Sequence, residues 1–202
     1  MPIKTAKWLW CGISFVAAVL VLFSPWTAAS PFFVPLSLWV SKILPLFLGG
    51  MTIMGFMNVS SLAIILPLIG GVILALPFLG LQRVWKNQRL NSHFSAAAVG
   101  VFLVALGAAL ELALTRTASW DPWQMLELAF VVVFGLLLIR CGLAIMRISQ
   151  PSFASARLVG WLMLSTGACF SSFVLLPLAL LGSVVLYFVL GITSLRSLRP
   201  AH

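Results

Sequence analysis

Residues 124–146 read QMLELAFVVVFGLLLIRCGLAIM, twenty-three residues with only two charged side chains, Glu127 and Arg140. A run of about 18 or more apolar residues is long enough, as a helix rising about 1.5 Å per residue, to cross a hydrocarbon layer about 30 Å thick. Nothing in that layer can bond a free backbone N–H or C=O, so the segment must bond itself as a helix. The run is too long, and too little alternating, for a barrel strand. Five further runs have the same character, at roughly 8–26, 60–82, 96–115, 157–173 and 175–194. The expected fold is therefore all-α, a polytopic transmembrane bundle forming one integral membrane domain over 1–202.

Composition leads to the same class. Of the 202 residues, 62% are hydrophobic and 7% charged, where a soluble domain has about 25% charged. The mean hydropathy is +1.18. A soluble fold of this size has too little interior for so much apolar surface, and disorder requires low hydrophobicity.

Residues 31–58 decide between six spans and seven. They are apolar, yet carry Pro31, Pro35, Lys42, Pro45, Gly49, Gly50 and Gly55. Cytoplasmic loops of membrane proteins collect Lys and Arg. With six spans and a cytoplasmic N-terminus, Lys4, Lys7, Arg83, Lys86, Arg89, Arg147, Arg157, Arg196 and Arg199 share the inner side. Only Lys42 and Arg116 fall outside, and Arg140 lies within a span. A seventh crossing would put the N-terminal lysines opposite the other basic loops. The reading adopted is six spans, with 31–58 an interfacial or re-entrant segment on the outer face; a re-entrant backbone must be covered by protein.

Tryptophans favour membrane–water boundaries. On this map Trp8, Trp10, Trp85 and Trp161 lie near inner ends, and Trp26, Trp120 and Trp123 near outer ends. Lys4, Lys7, the apolar run and Thr27-Ala28-Ala29 have the layout of a cleavable signal peptide; retention as a signal anchor is expected. Basic loops without a transit peptide fit a multi-pass protein of a bacterial inner membrane, with both termini cytoplasmic.

The net charge of +9 is read as topology and as contact with anionic headgroups, not as nucleic-acid binding. Cys11, Cys141 and Cys169 are odd in number, form no C-x-x-C and lie in apolar stretches, so no structural disulfide is expected. No polar loop is large enough for a nucleotide-binding domain.

Ala105, Ala109 and Ala113 recur every four residues on one helix, with Gly100 and Gly107 adding small positions. Small residues let transmembrane helices approach closely, so this is a candidate packing face, within the bundle or at a self-association contact. Pro67, Pro77 and Pro177 lie in or near spans and can kink them. Residues 60–83 and 171–196 share Ser-Ser, Leu-Pro-Leu and a small-residue pair in the same order; a parallel repeat and chance likeness both account for this.

Three acids are present, Glu111, Asp121 and Glu127. Glu111 lies about one turn from the end of its span and Glu127 about one turn into the next, with Arg116 and Asp121 in the hairpin between. Ionisable groups in spans are costly and mark candidate sites. Glu111, Glu127 and Arg116 therefore form the leading candidate for a substrate, ion or partner site. The alternative is an interfacial charge cluster neutralised by Arg116 or Lys42. Arg140, seven residues before Arg147, either extends to the inner interface or binds an anionic group.

No span contains a histidine for haem. Met51, Met54 and Met57 are read as gap-filling side chains before copper ligands. No metalloprotease helix, nucleophile elbow or phosphate loop is present. No cofactor or metal is expected, and enzymatic activity is the less favoured reading. The expected role is a non-enzymatic small subunit or accessory factor of a larger membrane complex, with the bilayer and a membrane protein as partners. The alternative is a small-molecule transporter or substrate-binding subunit using Glu111 and Glu127.

Overall fold

The computed structural model describes residues 3–24, 30–40, 65–85, 88–114, 122–147 and 155–196. Its long helices are α1 (Ile3–Leu22), α3 (Ile65–Trp85), α4 (Gln88–Leu114), α5 (Pro122–Met146), α6 (Ser155–Ser172) and α7 (Leu176–Arg196), with a short α2 (Phe33–Leu38) between the first two. No strand occurs among the described residues. Each apolar run in the sequence is matched by one long helix. Stretches within α3, α4, α5 and α7 are long and apolar enough to cross a membrane; α1 carries a shorter one, Trp8–Leu22. In α6 the serines, glycines, Thr166 and Arg157 dilute the apolar character.

The helices pack in chain order and close on themselves. α3 packs on α4, α4 on α5, α5 on α6, α6 on α7, and α1 joins the two ends by packing on both α7 and α3. Short connections force neighbours to run antiparallel. Only two residues separate α3 from α4. There Gln82 Nε2 donates to the Asn91 carbonyl at 2.9 Å and to Ser95 Oγ at 2.6 Å, tying the end of one helix to the start of the next. Between α6 and α7 the chain turns through Phe173, which holds a left-handed φ of 52°. The Leu175 N–H donates to Ser172 Oγ at 3.3 Å across that turn.

Close approach is achieved with glycine. On α5 and α6, Gly135 meets Gly167 and Gly142 meets Gly160. A Cβ at Gly135 would stand 2.7 Å from the Gly167 carbonyl oxygen, and one at Gly142 would stand 2.6 Å from that of Gly160. Both glycine pairs are spaced by seven residues, two turns of each helix, so one contact repeats along the interface. Gly71 of α3 lies against Ala105 of α4. Gly80 receives the Trp10 ring of α1, whose Cε3 would be 2.6 Å from an added Cβ. Of the alanine face, Ala105 and Ala109 are buried, while Ala113, one position from the end of α4, is exposed.

Pro67 and Pro177 fall in the first turns of α3 and α7. A helix has no internal partner for its first N–H groups, so proline costs little there. Pro77 is the one proline inside α3. Polar side chains along the helices largely bond their own backbone. Ser14 donates to Trp10, Ser183 to Ala179, Thr193 to Val189 and Ser194 to Leu190, each to the carbonyl four residues earlier. This satisfies a hydroxyl in an apolar setting without a second helix.

The start of the ambiguous 31–58 region is packed into the bundle at the end where α1 finishes. Phe32 is fully buried. Its ring lies 5.2 Å from that of Phe170 on α6 and 6.1 Å from that of Phe134 on α5. Trp39 Nε1 donates to the Val174 carbonyl in the α6–α7 turn at 3.0 Å. The entry is pinned by two buried serines. Ser24 Oγ donates to the Val21 carbonyl at 2.6 Å, Ser24 and Ser30 hydroxyls meet at 2.7 Å, and the Phe32 N–H donates to Ser30 Oγ at 3.3 Å. Residues 41–58, with Lys42 and the three methionines, and the Ser60-Ser61 copy of the repeat lie outside the described residues.

Candidate functional site: a buried carboxyl pair

Glu127 is the sixth residue of α5 and Glu111 the fourth from the end of α4. The antiparallel hairpin brings them to the same level. Gly107, one turn before Glu111, sets the spacing: a Cβ there would stand 3.3 Å from Glu127 Cα and 2.9 Å from a Phe130 ring carbon. With hydrogen at that position, the α5 backbone lies against α4, and the Glu127 side chain enters the interface instead of the surface.

Glu127 is fully buried, and apart from the Glu111 carboxyl no group is placed to bond its oxygens. The titratable side chain beside it is the Glu111 carboxyl. Glu111 is itself buried, with 7% of its surface exposed. Gln124, three residues before Glu127 on the same helix, is also buried. Trp123 beside it is exposed. Two carboxyls this close in an apolar interior are high in energy if both are ionised, because each loses hydration and each repels the other. A pair so placed can hold a proton or a cation between its members.

Of the residues singled out in the sequence, the structure brings together Glu111 and Glu127. Arg116 and Asp121 lie outside the described residues. Arg140 stands apart: it is exposed on α5 in line with Val133, Leu136, Leu143 and Arg147. That stripe points away from the face that carries Glu127. Arg147 and Arg157 are exposed as well. Sequence reading did not single out Gln124, nor the role of Gly107 in seating Glu127. The i to i+3 spacing of Gln124 and Glu127 was a visible signal; the approach of α4 was not. Among the described residues no three His, Cys, Asp or Glu side chains cluster to hold a metal, and the three cysteines are free thiols.

Helical order, apolar length and this pair define a class, an α-helical protein with at least four helices fit to span a membrane. No family model matches the chain, and no curated protein or solved structure matches it either.

Proposed function

We propose that this chain is a non-enzymatic, multi-pass integral membrane protein that acts as a small subunit or accessory factor of a larger membrane complex. The observation that carries the reading is how the interior is used. Glycine contacts, a phenylalanine cluster and hydroxyls turned onto their own helices fill it with packing. Exposed large apolar side chains occur on all six long helices, including Val16, Ile69, Phe102, Leu136, Trp161 and Leu181. These faces suit lipid or another membrane protein.

On this reading the six long helices are six crossings of a cell membrane, bacterial inner membrane being the best fit, with both termini cytoplasmic and 31–58 at the outer face. The basic residues at the α1-start end support that orientation. Native mass spectrometry of the full chain, purified in nanodiscs from its own membrane, tests the role. A stoichiometric partner chain is the expected result; a lone chain carrying a small molecule goes against it. Cysteine accessibility at the two termini tests the orientation.

A second reading has its own support. Buried Glu127 beside Glu111 is the arrangement that a transporter or substrate-binding subunit uses to bind an ion or a proton. Solute flux in liposomes that depends on Glu127 would favour it over the subunit role.

A further inference from the structure

We infer that Glu111 and Glu127 form a proton-binding site, in which one proton is shared by the two carboxyls and exchanged with the surroundings through Glu111. The inference rests on the same pair as the second reading above but on no transported solute, so absence of transport leaves it standing.

The geometry supplies three grounds. First, Glu127 has no exposed surface, and no group other than the Glu111 carboxyl is placed to bond its oxygens. An ionised carboxylate so placed carries the full desolvation penalty with nothing else to offset it. Its neutral acid form has no such charge to solvate. Second, the neighbouring group that acts on it is another acid, Glu111. A neutral carboxyl is a donor and a carboxylate an acceptor, so a singly protonated pair is complementary, whereas a doubly ionised one repels. Third, the two members differ in access: 7% of Glu111 is exposed and none of Glu127. Transfer breaks the O–H bond on Glu127 and forms one on Glu111, with the pair's charge unchanged. Release to the surroundings then leaves from Glu111.

No other titratable group among the described residues competes at this position. Of the elements packed against α5, α4 carries Glu111 and, near its opposite end, Arg89 and His93. α6 presents Arg157 in its first turn and Cys169 beside Phe170, and α2 presents none. On α5 and just past its end, Arg140, Cys141 and Arg147 lie thirteen or more residues along from Glu127. Glu111 is the only one of these that acts on the Glu127 carboxyl.

The chain's small acid count makes the test clean, since Asp and Glu total 3. Infrared spectra of the full-length protein in nanodiscs at neutral pH would report the C=O stretch of a neutral carboxylic acid. The expected result is one such band, shifted in heavy water and by isotopically labelled glutamate. Glu127→Gln should remove it and Asp121→Asn should leave it. Absence of the band in the wild-type protein overturns the inference, as does its survival in Glu127→Gln. Loss of the band on adding sodium or calcium also overturns it, identifying a cation site instead. If Glu127→Gln does not fold, the labelled wild-type spectrum decides alone: a band that labelled glutamate does not shift belongs to Asp121 or the C-terminus, and the inference fails.

Discussion

The Tyr187 hydroxyl donates to the backbone carbonyl of Leu74 at 2.9 Å, joining α7 to α3 behind α1. Tyr187 is the chain's one tyrosine and is buried. Its ring also meets Phe78 edge-on, with centroids 5.9 Å apart. The accepting carbonyl lies three residues before Pro77, the proline inside α3. Tyr187→Phe keeps the ring contact and deletes the hydrogen bond. Side-chain hydrogen bonds between transmembrane helices are worth about 0.6 kcal/mol on average and up to about 1.7 kcal/mol. Unfolding in mixed detergent should show a loss in that range; a loss of several kcal/mol would mean that the hydroxyl does more than hold two helices.

Glycine substitutions should divide by what their Cβ would meet. Gly135→Ala places a methyl 2.6 Å from Ser171 Oγ and 2.7 Å from the Gly167 carbonyl. Overpacking of that kind costs about 1–3 kcal/mol. Gly12→Ala on α1 meets nothing within 4 Å and should be neutral or stabilising by up to about 1 kcal/mol. Thermal unfolding of both variants in one detergent checks the contrast. Equal effects would contradict the α5–α6 contact.

Phe32→Ala should loosen α2 from the bundle. Phe32 stacks on Phe170 and is fully buried, and removing such a ring from a core costs about 3–5 kcal/mol. Cys169, next to Phe170, is half-buried and serves as the reporter. Its maleimide labelling should accelerate in Phe32→Ala and not in Val174→Ala, whose carbonyl still receives Trp39.

Replacing Glu127 with methionine should raise stability. The carboxyl is fully buried with only the Glu111 carboxyl beside it, and deleting a buried polar group so poorly compensated removes a penalty of about 1–3 kcal/mol. Sites that hold chemistry commonly trade stability for it. A clear fall in unfolding temperature for Glu127→Met would show that the bond between Glu127 and Glu111 outweighs the cost of burying both acids.

Arg140→Leu should leave stability unchanged or raise it, because its side chain is exposed in line with Leu136 and Leu143 and a charged residue inside a span carries a cost that leucine does not. A large loss would place Arg140 against a protein partner.

Helical character and its approximate bounds were legible because apolar length in a lipid setting leaves the backbone one solution. The run read at 175–194 and the helix Leu176–Arg196 start within one residue of each other. The helix of 96–115 begins earlier, at Gln88, since polar residues continue a helix beyond its apolar part. Glycine spacing at 135/142 and 160/167 was readable, but nothing in either helix alone says that the two sets face each other. The same holds for the carboxyls. Sequence spacing places Glu111 and Glu127 near one end of a hairpin. Only the rotation of α4 and α5 about their axes, set by Gly107, turns both inward. That rotation also turns Arg140 outward. A helix with an apolar surface all round, as α5 is, carries little information on which face will be buried. Its neighbours decide that, and their contacts exist only in the folded bundle.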